Sequence, residues 1–114
     1  MENPTEKIII YQVLPRLFGN DNNCCIPGGT LQENGCGKMA DFTGKALTEI
    51  KKLGATHIWY TGIIEHATQT DYRRYNISPD HPAVVKGKAG SPYAIKDYHD
   101  VDPDLAKDVP GRMK

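Results

Sequence analysis

The sequence predicts an α/β fold that opens with a strand–helix–strand unit, and three stretches carry the prediction. Lys7–Leu17 begins with a continuous β-branched apolar run, residues 42–53 form a capped amphipathic helix, and a second apolar stretch, Thr56–Ile64, follows at once. A strand, a helix and a strand in that order pair in parallel through a right-handed crossover.

The first strand is placed at about residues 7–17, KIIIYQVLPRL. Ile8–Tyr11 lacks polar alternation and suits a strand covered on both faces, and Pro15 ends its regular pairing. Phe18–Ala40 is dense in Gly, Asn and Cys, with turn signals at Asn22-Asn23, Gly28-Gly29 and Asn34-Gly35, and is expected to be one long loop. In the helix, at about 42–53, either Asp41 or Thr43 can accept from the free first-turn N–H groups. Ala46, Leu47, Ile50 and Leu53 share a face, while Lys45, Glu49 and Lys52 point outward. Lys51 and Lys52 suit the negative end of the helix, and Gly54 suits the left-handed position that closes it.

The second strand is placed at about 56–64. Residues 65–108 have little periodicity, and prolines at 79, 82, 92, 103 and 110 exclude a long helix. They are expected to form a second long loop. Both loops leave the C-terminal ends of parallel strands, the edge on which α/β folds build their sites.

Bulk properties narrow the function. The 114 residues include 14 basic and 14 acidic side chains, so no whole-chain field favours nucleic acid or an anionic membrane. Only 39% are hydrophobic, which allows a small core. No apolar run nears the ~20 residues that span a bilayer. The polar start, Met1–Lys7, is not a signal peptide. The chain as written is expected in the cytoplasm, or in the periplasm or outside the cell if an export signal has been removed.

Cys24, Cys25 and Cys36, odd in number with two adjacent, read as free loop thiols. His57, His66, His81 and His99 have no metal-ligand spacing, and His57 reads as a satisfied core residue. No metal ligand is assigned. Asp97, Asp100, Asp102, Asp104 and Asp108 lie in a proline-broken stretch, where aspartates cap turns or stay solvated. Glu65-His66 reads as a hydrogen-bonded loop junction. Tyr72, Tyr75, Tyr93 and Tyr98 fall on the expected site face, where a ring can stack on the C–H face of a sugar, although most should pack the loop.

Three of these stretches form a pattern. Ile10–Phe18 resembles the first-strand signature YQ-x-x-P-R-x-F of the α-amylase family of glycoside hydrolases. Leu53–Trp59 resembles its LG-(V/A)-T-x-(I/V)-W entry to strand two, and Tyr93–Pro103 resembles its loop GYD-x-x-DY-x-x-(V/I)-(D/N)-P. The resemblance covers nearly the whole chain. It implies that residues 1–114 are the N-terminal part of a (β/α)8 TIM barrel that acts on α-glucosidic bonds of starch-like glucans with retention.

In that family the catalytic carboxylates follow strands four, five and seven, so the resemblance assigns no catalytic residue here. Tyr93 matches the tyrosine that stacks on the sugar beside the scissile bond, and Asp97 an aspartate read as structural. Ala94 stands where Asp or Trp is common. Lys88–Pro92 lacks the carboxylate typical of enzymes that clip terminal glucose, which favours internal cleavage of longer chains. Cys36 stands where a calcium-loop aspartate is expected, so neither calcium nor another cofactor is assigned.

The implied ligand is an α-glucan or maltooligosaccharide. Bare sheet edges imply self-association or a complementing fragment. The alternative is a natural short protein that binds carbohydrate or a partner without catalysis. Tyr72, outside the motif, is expected to tolerate loss of its hydroxyl.

Overall fold

The computed structural model describes residues 6–114, and Met1–Thr5, the start of the polar N-terminal stretch, lies outside the described residues. The first strand, β1 (Ile10–Val13), pairs in parallel with β2 (His57–Tyr60), in register from Ile10 opposite His57 to Val13 opposite Tyr60. Between them runs the helix α3 (Gly44–Lys52). The expected parallel strand–helix–strand unit is therefore present, with shorter elements than the sequence suggested.

Thr43 is the cap of α3, its hydroxyl accepting from Ala46 N at 3.2 Å. Asp41 instead closes the preceding turn, accepting from Lys38 N at 2.7 Å. Gly54 sits at φ +92°, the left-handed position predicted for it. Ile50 is buried, Ala46 and Leu47 are half-buried, and Leu53 is exposed. Phe42, just before α3, stacks on Phe18 at 4.4 Å and meets Tyr60 edge-on at 5.0 Å.

Three expectations are corrected. β1 is not covered on both faces: Ile8, Ile9 and Ile10 are exposed, because the sheet has only two strands and one helix to cover it. Phe18–Ala40 is not a featureless loop. Pro15 starts a helical turn, α1 (Pro15–Phe18), where its missing N–H costs nothing. A further turn, α2 (Leu31–Asn34), opens with a capping box in which Thr30 and Glu33 satisfy each other's backbone N–H. Nor is 65–108 one loop. It holds most of an antiparallel pair, β3 (Ile64–His66) with β4 (Ile95–Val101).

The β3–β4 pairing is irregular. Ile64 faces Val101, but Glu65 faces Asp97, so Tyr98–Asp100 bulge out of the ladder. Asp97 Oδ1 accepts from His99 N at 2.8 Å and closes the bulge. Beyond β4, Asp102 caps a 3-10 turn, Pro103–Leu105, that packs against α1. The buried apolar residues are Val13, Ile50, Ala67, Val85 and Leu105. Among the described residues no helix is long and apolar enough to cross a membrane.

Candidate functional site

Arg16, in the turn that Pro15 initiates, is the hub of the site. Its Nη1 donates to Gly90 O at 2.8 Å, and its Nη2 donates to Ala89 O at 3.2 Å. The same Nη2 lies 2.9 Å from His66 Nε2, at the end of β3. One guanidinium thus ties the first strand, the second half of the chain and the loop that carries Tyr93. Gly90 must be glycine for this approach, since its φ is +83° and a Cβ would stand 1.9 Å from Ala67 O.

Behind Arg16 is a buried ionic cluster. His66, Asp102 and Asp104 are each 0–1% exposed. His66 Nδ1 lies 2.9 Å from the Ala67 carbonyl, which only accepts, so Nδ1 carries a hydrogen. Its Nε2 lies 2.6 Å from Asp102 Oδ2. Burial opposes charge on His66, but the hydrogen bond and charge of Asp102, with the Ala67 carbonyl, outweigh it and raise the imidazole's pKa. The protonated ring donates to Asp102; the neutral ring accepts from Arg16.

Asp104 is the strained member. Its Oδ1 accepts from the Tyr72 hydroxyl, while its Oδ2 is buried with no hydrogen-bond partner. Burial first, and the charge of Asp102 second, push its carboxyl up to about 6. Burial and the Asp104 charge also raise the Tyr72 phenol. Burial pushes the Cys36 thiol up to about 11, so it stays protonated, within 3.4 Å of Asp104 O.

His66, Asp102 and Asp104 offer donor atoms within 4.8 Å of one another, although no spacing in the sequence announced it. They do not make a free ligand set. Nδ1 is spent on a carbonyl, Nε2 is shared between Asp102 and Arg16, and an entering cation would meet the guanidinium. A second acidic group, Glu65, Asp97 and Asp100, is similarly engaged. Lys96 stands 3.9 Å from Glu65, and Arg112 pairs with Asp100 at 2.5 Å.

Several residues sit where the sequence did not put them. Asp102 does cap a turn, as expected, but Asp102 and Asp104 are buried rather than solvated. Glu65-His66 is part of a strand, not a loop junction. His57 is exposed, not core, with Nδ1 2.7 Å from the Thr56 hydroxyl. Tyr72 is a member of the buried cluster, not a bystander. No local pattern marks this cluster, because Arg16, His66 and Tyr72 reach the Asp102–Asp104 pair from distant parts of the sequence; the one readable sign was the turn cap at Asp102.

Tyr93 stands on the rim of an open cleft of about 630 Å³ that Leu14, Arg16, Gly28, Lys86, Lys88 and Pro92 help to line. Tyr93 is 73% exposed, so it packs little against the loop. The three cysteines are unbonded. Asn34, in the calcium-loop portion of the resemblance, is spent on the backbone of Ile26, accepting from its N at 2.6 Å and donating to its O at 2.9 Å. Comparison with protein-family models, curated proteins and solved structures found no match to this chain.

Proposed function

We propose that this chain is the opening β-α-β portion of an α-amylase-type (β/α)8 barrel and that its cleft holds one sugar of an α-glucan against Tyr93. One observation carries the reading. Arg16, from the YQ-x-x-P-R-x-F stretch, donates directly to Gly90 and Ala89, which lie just before the Tyr93–Pro103 stretch. The first motif thus meets the chain just before the Tyr93–Pro103 stretch, 74 residues away, at the C-terminal edge of a parallel pair, where α/β folds place their ligands. An exposed aromatic ring beside a cleft is the expected form of a sugar-stacking platform.

Within this reading the chain binds and orients; it does not cleave. Of its buried carboxylates, Glu65 is near Lys96, Asp102 pairs with His66 and caps a turn, and Asp104 accepts from Tyr72. Arg16 is a positioning residue that fixes the backbone from which Tyr93 projects.

The test is a titration of the 114-residue chain with maltoheptaose, followed by amide NMR. Shifts confined to residues 86–94 are expected. Tyr93→Ala should weaken binding on the order of ten-fold, which is ~1.4 kcal/mol, while Tyr93→Phe should bind nearly as well. No turnover of starch or an aryl α-glucoside is expected. Absence of any shift near the cleft at millimolar ligand would overturn the glucan reading, and turnover surviving repurification would overturn the non-catalytic role.

A further inference from the structure

The cleft beside Tyr93 has a charge pattern that a neutral glucan does not require. Arg16, Lys86 and Lys88 line it, and no acidic residue does. The chain as a whole is balanced at 14 basic and 14 acidic residues, so this excess is local. Arg16 faces inward, its donors on Ala89 O and Gly90 O and its charge set beside the Asp102–Asp104 cluster. The free charge at the cleft therefore belongs to Lys86 and Lys88. Both are exposed, and neither forms an ion pair among the described residues. The nearby acid, Glu33, lies outside the lining; its Oε2 accepts from Thr30 N at 2.7 Å, and the Lys88 charge helps to lower its pKa, so Lys88 is partly offset while Lys86 has no such neighbour among the ion pairs.

The turn that carries the lysines lies beside a second glycine turn. Gly28 and Gly87 both adopt positive φ, +66° and +63°, and a Cβ on Gly87 would lie 3.3 Å from Gly28 Cα. Two glycine turns therefore approach backbone to backbone, the lysine-bearing turn beside the 28–29 wall. A Cβ on Gly28 would meet nothing within 4 Å, so that wall is bare.

We propose that this cleft takes an anionic saccharide, a glucan unit bearing a phosphate monoester, with the sugar on Tyr93 and the phosphate between Lys86 and Lys88. The inference rests on the glucan reading and adds to it the charge class of the ligand. Phosphate can reach the site on a sugar or as the free ion, and the experiment separates the two.

Three probes are titrated into the full chain at low ionic strength: maltohexaose, maltohexaose with a 6-phosphate on one unit, and inorganic phosphate. The phosphorylated oligosaccharide should bind about 5- to 10-fold more tightly than the neutral one, as two exposed ion contacts allow. That advantage should vanish in the Lys86→Ala/Lys88→Ala variant and at about 0.5 M salt. Both lysines are on the surface, so the variant keeps the fold. Equal affinity for the two oligosaccharides overturns the proposal. So does inorganic phosphate binding as tightly as the phosphorylated sugar, with no effect of Tyr93→Ala. Binding of the phosphorylated oligosaccharide that needs both Tyr93 and the lysines, without measurable binding of the neutral one, supports the anionic site and defeats the neutral-glucan reading alone.

Discussion

At residue scale the chain is governed by titratable side chains that hold protons more tightly folded than unfolded, among them the buried Asp104, His66 and Glu65 and the half-buried Tyr72. Asp104 is raised to about 6 by burial and by Asp102, and its Oδ2 has no partner. His66 is raised despite burial, through Asp102, and Tyr72 is raised as well. A group with a raised folded pKa stabilises the fold at pH below its unfolded value and loses that contribution as pH rises through the folded one. Asp104 therefore favours folding below about 4 and ceases to by about 6–7. His66 loses its contribution above its ordinary range. Asp100, lowered by Arg112, has the opposite sign and costs stability only as pH falls below about 4. The melting temperature should be highest near pH 5 and fall by pH 8. Asp104→Asn should flatten that fall while raising stability at pH 8. A profile rising from pH 5 to 8, or one that Asp104→Asn leaves unaltered, contradicts this account. Tyr72→Phe should leave Asp104 without its remaining hydrogen bond and cost about 1–3 kcal/mol at pH 8 in urea unfolding. A silent substitution would return Tyr72 to the bystander role that its sequence position suggested.

At the scale of elements, what was legible followed from periodicity. Helix α3 announced itself through Thr43, the Ile50 face and Gly54, each a local signal with a local cause. Strands β1 and β2 were legible as apolar runs, but their faces were not, since cover depends on what packs above them. β3 and β4 were missed for a physical reason: a three-residue strand is too short to show a period, and the Tyr98–Asp100 bulge destroys alternation in its partner. The buried cluster was invisible because a charged side chain looks solvated until its partners arrive from elsewhere in the chain. Tyr93 was singled out through a motif, and the structure leaves it exposed. The joint between these elements is Gly90. Gly90→Ala must force a Cβ into Ala67 O and retain a positive φ, and it should cost roughly 2–4 kcal/mol. Gly44→Ala, at the start of α3 with nothing within 4 Å, should be neutral or stabilising by up to ~1 kcal/mol. Urea midpoints of the two variants that did not separate in this order would remove Gly90 from that role.

For the whole molecule, the small core contrasts with the apolar surface left outside it. Ile10, Trp59 and Leu53 are 59%, 55% and 71% exposed. The β1–β2 sheet has two strands, so each has an edge unpaired within the described chain. Two-stranded sheets are marginal alone, and bare edges recruit other strands. The chain should therefore self-associate in a concentration-dependent way by sedimentation, and Trp59→Lys should shift it toward monomer. A monodisperse monomer with sharp, dispersed amide signals at high concentration would refute this.

The parallel pairing of β1 with β2 also fixes when folding can occur. Ile9 N finds the Thr56 hydroxyl across 47 residues of chain, and the register bonds that follow it close loops of similar length. Loops that long must lose their entropy before any contact repays them, whereas α3 forms from neighbours. On a ribosome the strand Ile10–Val13 leaves the exit tunnel well before Tyr60 exists to pair with it. At a few to about twenty residues per second, it spends seconds as an open β-branched segment. During that interval the segment is open to a holding chaperone, which would meet residues 8–13 before β2 does.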